Sequence, residues 1–140
     1  MSAKRLKIFA DGASWGNPGP AAIGAVIRDE QGRKVAEISR YIGIASNNQA
    51  EYWAAIYALE AAVGLHPEEV ELSLDSQLVV RQMEGRYRVK DAALSLLFHR
   101  AMPLAKGFRR FSIVHIPSEQ NREAHALARR ALISRGQGSL

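Results

Sequence analysis

The spacing of apolar residues changes near Asn48, and this change constrains the fold more than any other feature of the sequence. Upstream, residues 6–10 and 22–28 are short apolar runs and 34–41 alternates apolar with polar side chains, which predicts three strands. Turn-forming residues separate these segments, so we expect consecutive antiparallel strands. Downstream, apolar residues recur at helical spacing, at Ala50, Ala54, Tyr57, Ala58 and Ala61. Ser46 or Asn47 is suited to cap this helix.

The rest of the chain alternates between the two patterns. Further strands are predicted at 70–74 and 111–116, and further helices at 76–83, 91–105 and 121–134. This order predicts an α/β fold with a five-stranded mixed sheet, three antiparallel strands and then two parallel ones, flanked by helices on both faces. A right-handed crossover through the first helix would place the first and fourth strands side by side.

Composition narrows the class of protein. A length of 140 residues predicts one domain over 1–140, with a flexible tail at 135–140. The chain has no cysteine, no long apolar stretch and no signal-peptide core, so we expect an unprocessed, soluble, cytoplasmic protein without a membrane partner. The formal charge is +5, and most basic residues are arginine, which suits phosphate recognition. A merely solvated basic surface explains the charge about equally well.

Three acidic residues stand in settings that suit metal-assisted phosphate chemistry. Asp11 ends an apolar run before a Gly-rich turn, Glu51 lies near the start of the first helix, and Asp75 ends the fourth strand. The predicted sheet would bring Asp11 and Asp75 to neighbouring strand ends, with Glu51 over the same edge. Carboxylates bind hard divalent cations, and acids within a basic chain favour a nucleic-acid substrate. Singly, each acid could instead serve a turn, a helix dipole or a helix cap.

Three motifs in order resemble the type 1 ribonuclease H family over nearly the whole chain. The first is Asp11-Gly12-Ala13-Ser14-Trp15-Gly16-Asn17-Pro18-Gly19-Pro20, the second Asn47-Asn48-Gln49-Ala50-Glu51, and the third Asp75-Ser76-Gln77. The resemblance implies a ribonuclease H-like fold and an endonuclease that hydrolyses the RNA strand of RNA/DNA hybrids, giving 5′-phosphate and 3′-hydroxyl ends. No base-reading element is visible, so we expect little dependence on sequence. We expect a monomer without an obligate protein partner.

The resemblance also implies roles for individual residues. Two Mg²⁺ or Mn²⁺ ions would stabilise the attacking and leaving oxygens of the phosphoryl transfer. Asp11 would bridge both ions, while Glu51 and Asp75 would hold the one beside the leaving group. The resemblance also places seven residues against the two strands of the hybrid, namely Gly12, Ser14, Asn17, Ser46, Asn47, Asn48 and Gln77. Asn17 and Asn47 can also be explained as turn and capping residues, and both roles can coexist.

The fourth motif departs from the family. Residues 121–128 match the family's last helix, except that His125 stands where a fourth metal-binding Asp is expected. His125 could be an imidazole ligand, a bystander or a core-facing residue; we expect it near the metals. Imidazole suits Mn²⁺ better than Mg²⁺, which predicts weakened Mg²⁺-dependent activity and a relative preference for Mn²⁺. Glu119, in the preceding loop, is a further candidate to reach the site.

The missing fourth acid leaves a second function open. The chain could be a binding module that holds hybrids or double-stranded RNA without efficient turnover. The three remaining acids oppose this alternative, because a pure binder has no need for negative charge opposite phosphates. Another nuclease or transferase on the same fold is a third possibility, although the Asn17-Pro18-Gly19-Pro20 turn favours the hybrid-specific branch.

Overall fold

The computed structural model describes residues 4–138, with side chains described as far as Arg135. Within that range the strands are β1 Arg5–Ser14, β2 Gly19–Arg28, β3 Lys34–Ala45, β4 Glu69–Leu74 and β5 Arg110–His115. The helices are α1 Asn47–Gly64, α2 Gln77–Met83, α3 Ala92–Lys106 and α4 Arg122–Gly138. A short 3₁₀ turn at Ser118–Gln120 precedes α4.

The five strands form one mixed sheet in the order β3-β2-β1-β4-β5. The first three pair antiparallel, whereas β1 with β4 and β4 with β5 pair parallel. The predicted fold class and the adjacency of the first and fourth strands are therefore confirmed. The hydrogen-bonded pairing of β1 with β4 ends at Phe9 and Ser73. The two strands therefore separate just before Asp11 and Asp75.

The first three strands are longer than the apolar pattern predicts. β1 continues through Asp11 to Ser14, and β2 begins at Gly19 rather than at Ala22. Ladder hydrogen bonds join backbone groups and need no apolar side chain, so pairs such as Ser14 with Ala21 extend the hairpin. Asp11 consequently lies inside β1, and the prediction that it follows the strand is wrong.

The two faces of the sheet are covered differently. The even-numbered residues of β1 point into the main core, where Leu6, Ile8 and Ala10 pack among residues of α1 and α3. The opposite face is covered by α4, which packs against β2, β3 and the end of β1. Helices thus lie on both faces, as predicted, and α4 alone covers the second one within the described part of the chain.

Gly24 on β2 sets the distance between α4 and the sheet. A Cβ at position 24 would lie 2.1 Å from the carbonyl oxygen of Ala124 and 2.6 Å from the amide nitrogen of Ala128. Such contacts are shorter than van der Waals separation, so only glycine allows the helix backbone this close. The N-terminal turns of α4 are thereby held directly against the middle of the sheet, beside Asp11.

The end of α4 lies further along the chain than the predicted end at residue 134, because the helix continues to Gly138. The guanidinium of Arg135 lies 5.7 Å from the ring centre of Trp15 and 5.5 Å from that of Tyr41. The predicted flexible tail, 135–140, extends outside the described residues and stays a prediction.

Over the range that is described, no helix is both long and apolar enough to cross a bilayer.

Candidate active site

Asp11 and Glu51 are brought together by a close approach of α1 to β1. A Cβ at Gly12 would lie 2.2 Å from the carbonyl carbon and oxygen of Ala50, so a larger residue would push the helix away. The amide nitrogen of Gly12 donates to Oε1 of Glu51 at 2.7 Å. Both acids are buried, at 4% exposure for Asp11 and 7% for Glu51. The glycine after the first acid thus serves to orient the second.

Asp75 joins this pair from the end of β4. It directly follows the strand, and the side chain of Ser76, not that of Asp75, caps α2 by accepting from the amide nitrogen of Val79 at 3.3 Å. Helix capping therefore does not account for Asp75. Oxygen atoms of Asp11, Glu51 and Asp75 all lie within 4.8 Å of one another, a separation at which one cation can contact all three.

The proximity of the three carboxylates changes their ionisation. Burial and then the negative charge of Asp11 raise the pKa of Glu51 well above its ordinary value, although the hydrogen bond from Gly12 opposes the shift. Burial and the charge of Asp11 likewise raise the pKa of Asp75, with opposition from the Asn121 side chain and from His125. A bound cation would remove the repulsion that keeps protons on these groups.

His125 reaches the same cluster from the first turn of α4. Its Nδ1 lies 2.9 Å from Oδ2 of Asp11, and its side chain is 57% exposed. The imidazole is therefore neither a core-facing residue nor remote from the acids. It does not belong to the group of ligand atoms that lie within 4.8 Å of one another among the described residues.

A cleft of about 460 Å³ opens beside the acids on the α4 side. It is lined by Asp75, Ser118, Glu119, Arg122 and His125. Glu119 therefore borders the space next to the cluster without joining the three converging carboxylates. Arg122 adds a positive charge to a cleft that Asp75 and Glu119 also line, so a phosphate and a cation could both be held there.

The family resemblance assigns seven residues to contacts with an RNA/DNA hybrid. Most of them lie near the start of α1. Ser46 caps this helix in a reciprocal arrangement with Gln49, as expected for one of the two predicted caps. The exposed side chain of Asn17 accepts from the amide nitrogen of Asn47 at 3.1 Å, which ties the Gly-rich turn to the helix. The turn role considered for Asn17 is therefore confirmed, whereas the capping role considered for Asn47 is wrong, because Ser46 is the cap and Asn47 is the first residue of the helix.

Ser14 and its neighbours shape the turn itself. The Ser14 hydroxyl donates to the carbonyl of Ala45 at 2.8 Å and also contacts the carbonyl of Gly16. Of the remaining predicted contact residues, Asn48 and Gln77 are exposed near the N-termini of α1 and α2, and Gly12 lies within β1. All seven residues lie on β1, on the turn that follows it, or at the starts of these two helices.

Asn121 is a site residue that the sequence interpretation missed. It precedes α4, is 1% exposed, and its Nδ2 donates to the carbonyl of Ala10 at 2.9 Å. Its Oδ1 is buried without a hydrogen-bond partner among the described residues. Asn121 thereby ties the start of α4 to the strand that carries Asp11. The Asn that begins the fourth motif is the sequence signal for this role.

Comparisons with known proteins agree with this architecture. A family described as reverse transcriptase-like matches residues 9–131. The ribonuclease HI of Halobacterium salinarum is 48% identical over 128 residues, which cover 91% of this chain and 64% of that protein. The crystal structure of the ribonuclease H1 from this archaeon has a TM-score of 0.91 at 47% identity, covering 93% of this chain and 98% of the other.

A second solved structure contains a nucleic acid. LC11-RNase H1 in complex with an RNA/DNA hybrid has a TM-score of 0.87 at 42% identity, covering 92% of this chain and 97% of the other. This chain spans 64% of the length of the Halobacterium relative and 37% of a related bifunctional protein of Mycobacterium tuberculosis. The family match includes the positions of all three converging acids.

Proposed function

Because the chain belongs to the type 1 ribonuclease H family, we propose that it is a metal-dependent endoribonuclease that hydrolyses the RNA strand of RNA/DNA hybrids. The observation that carries this proposal is the convergence of Asp11, Glu51 and Asp75, whose oxygens lie within 4.8 Å of one another. Asp11 and Glu51 are buried and Asp75 is half-buried, and gathering three acids in this way is costly without a positive partner, so a fold that keeps them together has a use for a cation.

The residues present fit a divalent cation. Oε2 of Glu51 is buried and has no hydrogen-bond partner in the described part of the chain, while Oε1 is fixed by the amide of Gly12. The donor set is three carboxylates, the oxygen ligands that Mg²⁺ and Mn²⁺ prefer. When bound, two such ions would supply charge neutralisation at the attacking and leaving oxygens of the phosphodiester.

The protein's own contribution is to hold the ligands in place before substrate arrives. Gly12 fixes Glu51, Asn121 fixes the start of α4 against β1, and His125 contacts Asp11. Preorganised groups of this kind avoid reorganisation during the reaction, which breaks the P–O3′ bond and leaves a 5′-phosphate and a 3′-hydroxyl. We assign Asp11, Glu51 and Asp75 to metal binding, with His125 beside them.

Hybrid recognition is assigned to the edge formed by the Gly-rich turn and the start of α1. Asn17, Asn47 and Asn48 are exposed there and can bond to sugar and phosphate groups, including the 2′-hydroxyl that distinguishes RNA. The remaining members of this set are Gly12, Ser14, Ser46 and Gln77. Because the Ser14 hydroxyl is used within the turn, its contribution comes through the shape of that turn.

His125 sets the expected metal preference. An imidazole at the fourth position supplies nitrogen in place of a charged oxygen, which favours Mn²⁺ over Mg²⁺. The contact between His125 and Asp11 supports this assignment, because it places the imidazole beside the residue predicted to bridge both ions. The monomeric state and the cytoplasmic location stay predictions.

The proposal is tested by incubating the protein with a hybrid labelled on its RNA strand, with Mg²⁺ and separately with Mn²⁺. We expect internal cuts in the RNA strand, faster with Mn²⁺, and no cutting of the same sequence as a DNA duplex. Binding without cutting in either metal would instead support the module that holds hybrids without turnover. Equal cutting of the DNA duplex would contradict the assignment to ribonuclease H.

A further inference from the structure

Two aromatic residues and two arginines form a continuous ridge on the outer side of α1. The rings of Trp53 and Tyr57 lie 5.8 Å apart between centres. The guanidinium of Arg40, on β3, lies 4.9 Å from the centre of Tyr57, and that of Arg100, on α3, lies 5.1 Å from the centre of Trp53. We call these four residues the α1 ridge.

The ridge lies on a half-buried stripe of α1, and its two rings, Trp53 and Tyr57, also pack against the edge of the main core. Most of this helix is buried, and positions 49, 53, 57 and 61 form a half-buried stripe at a spacing of four residues. Such a stripe is ordinarily polar on a helix packed against a sheet. Here it carries two large rings, and both arginines that cover them are exposed. This stripe therefore presents cations and ring surfaces to the outside.

Both arginines of the ridge retain N–H groups that can donate hydrogen bonds to a ligand. Arg40 makes no ion pair or side-chain hydrogen bond to another described residue, and Arg100 has one acidic neighbour, Glu60, at 4.0 Å. A guanidinium that stacks on a ring still has N–H groups along its edge, and these can bind phosphate in a fork. Arginines that present such groups are typical phosphate contacts of surfaces that follow a nucleic-acid backbone.

The ridge also continues the edge assigned to hybrid recognition. Ser46, a member of that contact set, caps α1, and Tyr57 lies eleven residues further along on the same face, about 16 Å along the helix axis. At about 3.4 Å of duplex axis per nucleotide of one strand, that length corresponds to about five nucleotides. A backbone that leaves the predicted contact at Ser46 can therefore continue along the ridge.

We propose that the α1 ridge binds the phosphate backbone of the hybrid beyond the segment held at the catalytic edge. This inference rests on the proposed function, because it takes the hybrid as the ligand. Arg40 and Arg100 supply phosphate contacts, and the rings of Tyr57 and Trp53 hold the guanidinium planes in position. Glu60 opposes binding, because its carboxylate lies beside Arg100 and repels phosphate.

The test compares charge variants on a short and a long hybrid. Arg40→Gln with Arg100→Gln removes both cations, Glu60→Gln removes the opposing acid, and Arg110→Gln removes an exposed arginine from strand β5 as a matched control. KM and kcat are measured on hybrids of about 8 and about 20 base pairs, the longer one extending past the ridge on either side. Thermal unfolding of each variant checks that the fold is kept.

On the long hybrid, we expect KM of the double variant to rise about tenfold at moderate salt, with little change in kcat. The slope of log(1/KM) against log salt should become shallower by about two. Glu60→Gln should lower KM on the long hybrid, and Arg110→Gln should match the wild type. The difference between the double variant and the wild type should disappear on the short hybrid.

Two results separate this inference from the proposed function. If the wild-type protein cuts both hybrids and the double variant has the wild-type KM and salt slope on the long one, the ridge does not bind the hybrid, while the proposed function stands. An equal loss on both hybrids would also overturn the ridge assignment, since it would indicate a general effect of charge. If the wild-type protein cuts neither hybrid, the proposed function itself fails.

Discussion

Replacing Glu51 by Gln should make the metal-free protein more stable while abolishing hydrolysis. In the wild type, Oε2 of Glu51 is buried without a hydrogen-bond partner among the described residues, and the charge of Asp11 adds repulsion. An unpaired buried polar group costs about 1–3 kcal/mol, so relieving it should raise the melting temperature by about 4 °C per kcal/mol in a chain of this size. The amide oxygen of Gln can still accept from Gly12, and its NH2 group can donate to the neighbouring Asp11 carboxylate.

The stability difference between Glu51→Gln and the wild type should depend on pH. The pKa of Glu51 is raised in the folded protein, so the folded state keeps a proton that the unfolded state releases. The folded state then binds more protons, and stability falls as pH rises from the ordinary Glu pKa through the raised one. Glu51→Gln does not titrate. The free energy of unfolding of Glu51→Gln should therefore exceed that of the wild type by an amount that grows from acidic to neutral pH.

The assay is thermal unfolding of both proteins in chelator across this pH range, repeated with saturating divalent cation. A ligand present at about 100 times its Kd stabilises a protein by about 2.7 kcal/mol, and the wild type should gain more of this than the variant does. Glu60→Gln, an exposed acid on the same helix, serves as the control and should leave the pH dependence unchanged. A variant no more stable than the wild type at neutral pH would show that the Glu51 carboxyl does not destabilise the metal-free protein.

Three further substitutions test individual contacts. Gly24→Ala should destabilise the protein by about 3 kcal/mol or more, because its Cβ would lie 2.1 Å from the carbonyl oxygen of Ala124; unchanged denaturant unfolding would contradict this packing. His125→Asp should raise activity with Mg²⁺ relative to Mn²⁺ by about tenfold, measured as a rate ratio, whereas an unchanged ratio would separate His125 from metal choice. Tyr52→Phe should lower the free energy of unfolding by about 1–2 kcal/mol, because the buried side chain of Gln82 loses the hydroxyl that donates to it at 2.6 Å. Urea denaturation measures this change, and an unchanged free energy of unfolding would mean that the hydrogen bond does not stabilise the fold.

Much of the fold and the three acids could be predicted because their signals are local. Alternating and helical periods mark the elements, and Asp11, Glu51 and Asp75 each lie within a short motif. The parallel pairing of the first and fourth strands follows from the handedness of a helical crossover. These features depend on neighbours in sequence or on a general rule of chain connection, so one sequence is sufficient to state them.

The remaining features depend on contacts between distant segments. The approach of α4 to the sheet requires Gly24, and the resulting contact joins His125 to Asp11 across 114 residues. No local pattern distinguishes that glycine from a turn glycine. The fourth motif contains Asn121, but the role of this residue depends on its bond to the Ala10 carbonyl, which exists only after α4 has docked. The extension of β1 past Asp11 depends on pairing with β2, which does not follow apolar content.

The assignment of Asp11, Glu51 and Asp75 to one shared metal site is the basis of the proposed function. It is tested most directly by the cleavage rate of Asp11→Asn on a labelled hybrid, compared with the wild type in each metal. Loss of the acid at the centre of the proposed metal site should lower the rate by a factor of about 10³ or more, while the substituted protein stays folded. A rate within about tenfold of the wild type would mean that Asp11 is not needed to hold the metal.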